Sequence, residues 1–232
     1  MPVTGNNPNI FMTTNDVKQI SIRLQPDGFS YADKFYPVMP GADFNQRMED
    51  AIWNTRLTEL DAEIRCSVET TRFSLSPADI DESVALKMYH LSLPEAEGEE
   101  TVLSQTDASH GIRIHFGIDS RLYHFLMRNV ENIAFTHPLM RLQQQWSDRT
   151  EVTEDCMVAE AETNALNLLV YENGKLQMAN RFDVTGTNNQ TYHIMNCWTL
   201  FNLDILDNKL YLQTSSDELR KSLSQYLKQC VS

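Results

Sequence analysis

Residues 20–31 read ISIRLQPDGFSY, and the fold turns on how this stretch is parsed. Ile20, Ile22 and Leu24 alternate with Ser21 and Arg23. Successive side chains of a strand point to opposite sides, so residues 17–24 are predicted as a strand with one apolar face. Pro26-Asp27-Gly28 is turn chemistry, and residues 29–35 are expected to return as the second arm of a hairpin. A related pattern stands at residues 169–182, LVYENGKLQMANRF. There Asn173-Gly174 is a two-residue hairpin turn, because both positions tolerate positive φ.

Working outward, Asp43 with Gln46 predicts a capping box for a helix whose apolar face is Phe44, Met48, Ala51 and Ile52. Residues 63–75 return to strand character, with Ile64, Cys66 and Val68 on one side. Ser76, Pro77 and Asp79 carry the signals of a helix start, and Ile80, Val84, Met88 and Leu91 form its apolar stripe. Residues 94–100, PEAEGEE, are expected as a solvated loop tip, since water relieves repulsion between close like charges. Strands are expected at 101–105 and 112–116, the latter with Ile112, Ile114 and Phe116 on one face and Arg113 and His115 on a polar one. A helix from Asp119, a strand at 133–135 and a helix from Pro138 follow.

The polar stretch 147–155 is the expected domain boundary. After it come strands at 157–162, 165–171 and 175–183, then a helix capped by Thr187 and Gln190. A strand at 209–213 and a helix capped by Ser215 and Glu218 complete the pattern. The division is a flexible N-terminus at 1–15, a first unit at 16–149 and a smaller second unit at 150–232. The class is α/β, two tandem units laying helices on mixed sheets.

Charge excludes some functions. The 232 residues hold 32 acidic and 19 basic side chains, a net charge of −13. Lys and Arg never run three together, so the basic stripe expected of a nucleic-acid binder is missing. No stretch approaches the ~20 apolar residues that span a bilayer. The N-terminal stretch lacks the basic and apolar regions of a secretory signal. With Cys66, Cys156, Cys197 and Cys230 widely spaced, reduced thiols and a cytoplasmic location are expected.

Catalytic motifs are scarce. No two of the eight glycines stand closer than six positions, which excludes GxGxxG and the Walker A loop. His110, His115, His124 and His137 lack metal-ligand spacing and are expected at the surface or as caps. No catalytic, cofactor or metal residue is assigned from pattern.

ISIRLQPDGFSY and LVYENGKLQMANRF, with the strand–helix order between them, resemble a bacterial family of unknown function whose fold is similar to the actin-like ATPases. The resemblance spans about residues 17–230. It implies two ribonuclease-H-like halves facing an ATP-binding cleft bordered by three loops. At the first, normally Asp- and Gly-bearing, stand Arg23, Asp27 and Gly28. At the second, normally glycine-rich, stand Glu160, Glu162, Thr163 and Asn164, whose carboxylates are expected to repel triphosphate. At the third, normally with paired glycines, stand Thr214, Ser215 and Ser216. The last strand of the second half is expected to be short or missing. All three loops depart from the pattern, so the expectation is a degenerate nucleotide site with no cofactor, in an adaptor or scaffold that binds another protein; charge and the lack of an apolar span set nucleic acid and membrane aside as partners. The alternative is an enzyme, an ATPase or phosphotransferase, whose atypical cleft uses Arg23 or Arg72.

Overall fold

Hydrophobic alternation builds the first sheet. A computed structural model describes residues 19–32, 34–60 and 62–231; the flexible segment expected at 1–15 lies outside them. Strands β1 (Gln19–Gln25), β2 (Gly28–Tyr31) and β3 (Lys34–Pro37) form an antiparallel meander. The expected single return arm is thus two strands. Helix α1 (Phe44–Asn54) leads to β4 (Glu63–Val68), which pairs parallel to β1. In that register Ile20, Ile22 and Leu24 stand beside Ile64, Cys66 and Val68. All six join Met48 and Ile52 of α1 in one buried cluster. The opposite face of the same pair carries Ser21, Arg23, Arg65 and Ser67.

The chain then leaves this sheet. The strand expected over 63–75 is broken after Val68, and β5 (Phe73–Pro77) belongs to a separate three-stranded sheet. Its other members are β6 (Glu100–Asp107) and β7 (Ile112–Asp119), antiparallel in the order β5-β7-β6. Helix α2 (Glu82–Ser92) lies between β5 and β6 in sequence. Ser76 and Pro77 end β5 and do not start the helix, whose N-cap is Asp81. The Asp81 carboxylate accepts from the Ser83 N–H at 2.8 Å. Helix α3 (Ser120–Asn129) is capped by Asp119, as expected, and leads to β8 (Ile133–Thr136), parallel to β4. Helix α4 (Pro138–Trp146) follows, with proline in its first turn, where a missing N–H costs nothing.

The second sheet repeats the order of the first. Strands β9 (Cys156–Ala161), β10 (Leu166–Glu172) and β11 (Lys175–Phe182) form an antiparallel meander. Asn173 and Gly174 turn it with φ of 49° and 75°, which the tight turn requires and these two residues tolerate. Helix α5 (Thr187–Leu200) leads to β12 (Lys209–Thr214), parallel to β9. Helix α6 (Asp217–Leu223) leads to β13 (Cys230–Val231), parallel to β12 and only two residues long. The sheet orders are β3-β2-β1-β4-β8 and β11-β10-β9-β12-β13.

Both faces of the second sheet are covered. Met157, Ala159, Leu166, Leu168, Val170, Leu210 and Leu212 pack with Ile194 and Trp198 of α5 and with Leu219 and Leu223 of α6. Cys156, Val158, Leu169, Tyr171 and Tyr211 join the other core, which holds Leu139, Leu142 and Trp146 of α4 and the first sheet. Burial on two sides explains why β9 and β10 read as nearly unbroken apolar runs. Among the described residues, no helix is long and apolar enough to cross a membrane.

Three further caps differ from expectation. Asp43 and Gly186 flank their helices without a side-chain cap bond. Gln190 instead donates to the Glu162 carbonyl. Ser216, not Ser215, caps α6 and accepts from the Leu219 N–H at 3.2 Å.

Candidate functional site

The carboxyl ends of β1 and β4 face those of β9 and β12, and polar side chains gather between them. Arg23 projects from β1 on the polar face shared with Ser21, Arg65 and Ser67, the side to which Arg141 and Gln144 of α4 also turn. Its Nε donates to Glu69 Oε1 at 2.9 Å, and its Nη2 donates to Glu162. Glu69 also accepts from the Ser67 hydroxyl at 2.9 Å. Glu69 Oε2 lies 2.8 Å from Arg181 Nη1, an ion pair without hydrogen-bond alignment, and both side chains are about as buried as the apolar core, at 2% and 3% exposure. Arg181 Nη1 donates to Asn167 Oδ1 at 3.0 Å; Asn167 Nδ2 donates to Glu160 Oε2 at 2.9 Å. Arg141 of α4 reaches both Glu160 oxygens at 2.7 Å.

This chain links both sheets and α4. Arg23, Arg141 and Arg181 pair with Glu69, Glu160 and Glu162, and Asp183 stands beside Arg181 as a fourth carboxylate. Burial raises the Glu69 pKa, but its bonds to Arg23 and the charge of Arg181 outweigh this and hold the carboxyl below its usual range. Burial opposes the charge on Arg23 as well, and Glu162 and Glu69 more than compensate. Asp183 behaves differently: partial burial raises its pKa, and Arg181, 3.6 Å from Oδ1, offsets this only in part.

Two cavities flank the network. One, about 780 Å³, is lined by the β1–β2 turn, the β9–β10 turn, Arg181, Asp183 and Thr214-Ser215. The other, about 630 Å³, lies over the polar face of the first sheet, with Arg65, Ser67, Gln105 and Arg141 among its walls. Arg23, Glu160 and Glu162 line both, so the Arg23–Glu162 bridge stands between them.

Of the residues singled out from sequence, Arg23, Asp27, Glu160, Glu162 and Ser215 line the larger cavity. Gly28 serves the hairpin: a Cβ there would fall 2.2 Å from the Tyr36 carbonyl oxygen of β3. Ser216 is occupied as a helix cap. Glu160 lies in a strand, not a loop, and with Glu162 it is neutralised by arginine, so neither presents the uncompensated negative charge expected from sequence. Arg72 is absent from both cavity walls; it is bound to Glu100 at 2.5 and 3.1 Å. Glu100 thereby leaves the expected acidic loop and sits in β6.

The histidines also depart from expectation. His115 is buried, not on a polar strand face, and neither ring nitrogen has a hydrogen-bond partner among the described residues. His137 caps α4 but is fully buried, packed on Phe73 and Phe116. Burial presses its pKa down to about 4. The neutral ring donates from Nε2 to the Thr70 carbonyl at 2.9 Å and accepts from the Leu139 N–H at Nδ1.

The sequence reading missed Glu69, Arg141, Asn167 and Arg181. Asn167 and Arg181 are cross-strand partners on β10 and β11. A polar residue inside an apolar strand was their only signal, and the register alone pairs them.

Residues 49–230 match the family described as protein of unknown function (DUF3822). The chain belongs to this family. A solved structure of a Bacteroides thetaiotaomicron protein with actin-like ATPase fold and unknown function superposes with a TM-score of 0.76 at 21% identity, covering 92% of this chain and 89% of that one. The fold of this DUF3822 protein is therefore actin-like. Weaker likenesses are to a PilM–PilN type IV pilus biogenesis complex, with TM-score 0.49, 10% identity and coverage of 92% and 84%, and to an AlfA filament bound to AMPPNP, with 0.41, 13%, 93% and 89%. No curated protein matches the chain.

Proposed function

We propose that this chain is a non-catalytic actin-like-fold protein of the cytoplasm, acting as an adaptor or scaffold through contacts with another protein. In this reading residues 16–149 and 150–232 are two ribonuclease-H-like halves, and the nucleotide cleft between them is degenerate. The matching strand orders of the two five-stranded sheets support the duplication, with β5, α2, β6 and β7 inserted into the first half.

One observation carries the functional part. Where the superfamily would hold phosphate and metal, Arg23 is already engaged by Glu69 and Glu162. A triphosphate would have to displace a carboxylate from it and would find no glycine in the facing turn 160–165 to offer backbone N–H groups at close approach. Fold alone does not transfer an activity.

A second reading, an enzyme with unfamiliar chemistry in this cleft, is favoured by Asp183. It is a half-exposed carboxyl with a raised pKa on the wall of a polar cavity, where proton-transfer groups are typically found. Thermal unfolding with magnesium and ATP separates the two. A ligand at a hundredfold its Kd would add about 2.7 kcal/mol of stability. The adaptor reading expects no shift of Tm; a shift at sub-millimolar ATP sinks it and points to the enzyme.

A further inference from the structure

Helix α2 is apolar on two sides, and only one is covered. Ala85 and Tyr89 turn inward and are buried. Val84, Met88 and Leu91, spaced as one helical face, turn outward and remain 46%, 45% and 87% exposed. From sequence this stripe looks like the core-facing side, because a periodic apolar face ordinarily packs inward. The structure uses the other side. Tyr89 reaches Glu100 and the close-packed Gly117, while the stripe is left to solvent. Single exposed apolar residues need no explanation; a stripe rimmed by charge is characteristic of an interaction surface.

The rim is predominantly acidic; Arg113 stands at its start, donating to the Ala78 and Ile80 carbonyls at 2.9 and 2.8 Å, and Arg72 at its end is already paired with Glu100. Asp79, Asp81 and Glu82 stand at the start of α2, and Glu95, Glu97 and Glu99 follow its end, all six exposed. None forms an ion pair among the described residues. Lys87 is the one Lys or Arg in residues 79–99. A second copy docking by two-fold symmetry would set this acidic rim against itself. Complementary charge requires a different partner.

We propose that the outer face of α2, with its two acidic flanks, docks an amphipathic helix of a partner protein that carries lysine or arginine around its apolar stripe. The proposal rests on the adaptor reading and locates its contact surface. The apolar stripe supplies the burial, and the six carboxylates supply orientation and a salt-dependent approach.

The probe is a synthetic amphipathic helical peptide of leucine and lysine, compared by fluorescence anisotropy with one of the same pattern in leucine and glutamate. The lysine peptide is expected to bind, more weakly as salt rises, and the glutamate peptide to fail. Met88→Ser with Leu91→Ser keeps every charge, removes exposed side chains only, and is expected to weaken binding by about tenfold or more at unchanged Tm. Failure of the lysine peptide to bind overturns the proposal, as does equal binding of the two peptides. So does unchanged affinity in the double variant, which would mean charge alone attracts the peptide. Sedimentation showing a dimer that the double variant abolishes would give the face to a second copy instead. The nucleotide test is separate: an ATP shift with intact peptide binding sinks the adaptor reading and leaves the surface, and the converse sinks the surface alone.

Discussion

Arg181 shows how one buried charge ties the two sheets together. It stands on β11 of the second sheet and pairs with Glu69, which follows β4 of the first. Removing one partner of a buried ion pair leaves the other charge uncompensated, at a typical cost of 3–5 kcal/mol. Glu69 would keep Arg23, so Arg181→Ala is expected to cost about 3 kcal/mol in urea unfolding. Arg23 is a third exposed, and water compensates part of its loss; Arg23→Ala is expected to cost about 1 kcal/mol. Equal losses, or a smaller one for Arg181, would refute this ordering. The folded Glu69 carboxyl titrates below its unfolded range. Its stabilisation is therefore complete above the unfolded pKa and is lost as the pH falls through the folded one. Arg23, Glu160 and Glu162 could be found through the resemblance, which sets them at the loops bordering the expected cleft, although Arg23 and Glu160 stand in strands. Glu69 and Arg181 could not, because nothing local marks a charge whose partner lies in another sheet.

Glycine spacing tells the same story for elements. Gly117 in β7 sits where a Cβ would meet Glu100 Oε1 at 2.0 Å and the Tyr89 hydroxyl at 2.6 Å. The obstacle is a carboxylate held by Arg72, so it cannot swing away freely. Gly117→Ala is expected to cost about 1–3 kcal/mol by overpacking and to loosen β6 from β7. Gly98→Ala, with no atom within 4 Å, is the control expected to leave thermal unfolding unchanged. A Gly117→Ala protein as stable as the control would mean the Arg72–Glu100 pair adjusts without cost. Periodicity located α2, β6 and β7, but the apolar stripe it marks on α2, with Val84, Met88 and Leu91, is the side left exposed. The same helix offers two apolar faces, and the choice between them is made by Glu100, Gly117 and the strands beneath.

Across the molecule the two sheets share one core. Leu139, Leu142 and Trp146 of α4 lie between Ile114 and Phe116 of the small sheet and Val158, Leu169 and Tyr211 of the second, all in a single buried cluster. Such sharing makes independent unfolding of the two five-stranded sheets costly. Urea unfolding is expected to be one transition, superimposing when followed by far-UV circular dichroism and by tryptophan fluorescence, since Trp146 and Trp198 report from the two clusters. Leu142→Ala, at a wholly buried site, is expected to cost about 2–5 kcal/mol and to shift both signals together. Two separated transitions would show that α4 does not couple the sheets.

The class and most element positions were legible in the chain, because strand alternation, Pro-Asp-Gly and Asn-Gly turns, and aspartate caps act over a few residues. ISIRLQPDGFSY was enough to predict the first hairpin, and LVYENGKLQMANRF its counterpart. The break after Val68, the burial of His115 and His137, and the ion-pair chain from Arg141 to Arg23 were decided by tertiary packing. Each depends on atoms far apart in sequence, brought together when the second sheet closes over α4 and the polar face of the first. Long-range contacts of this kind leave no periodic trace, and so the charge pairing at the cleft became visible only in the assembled fold.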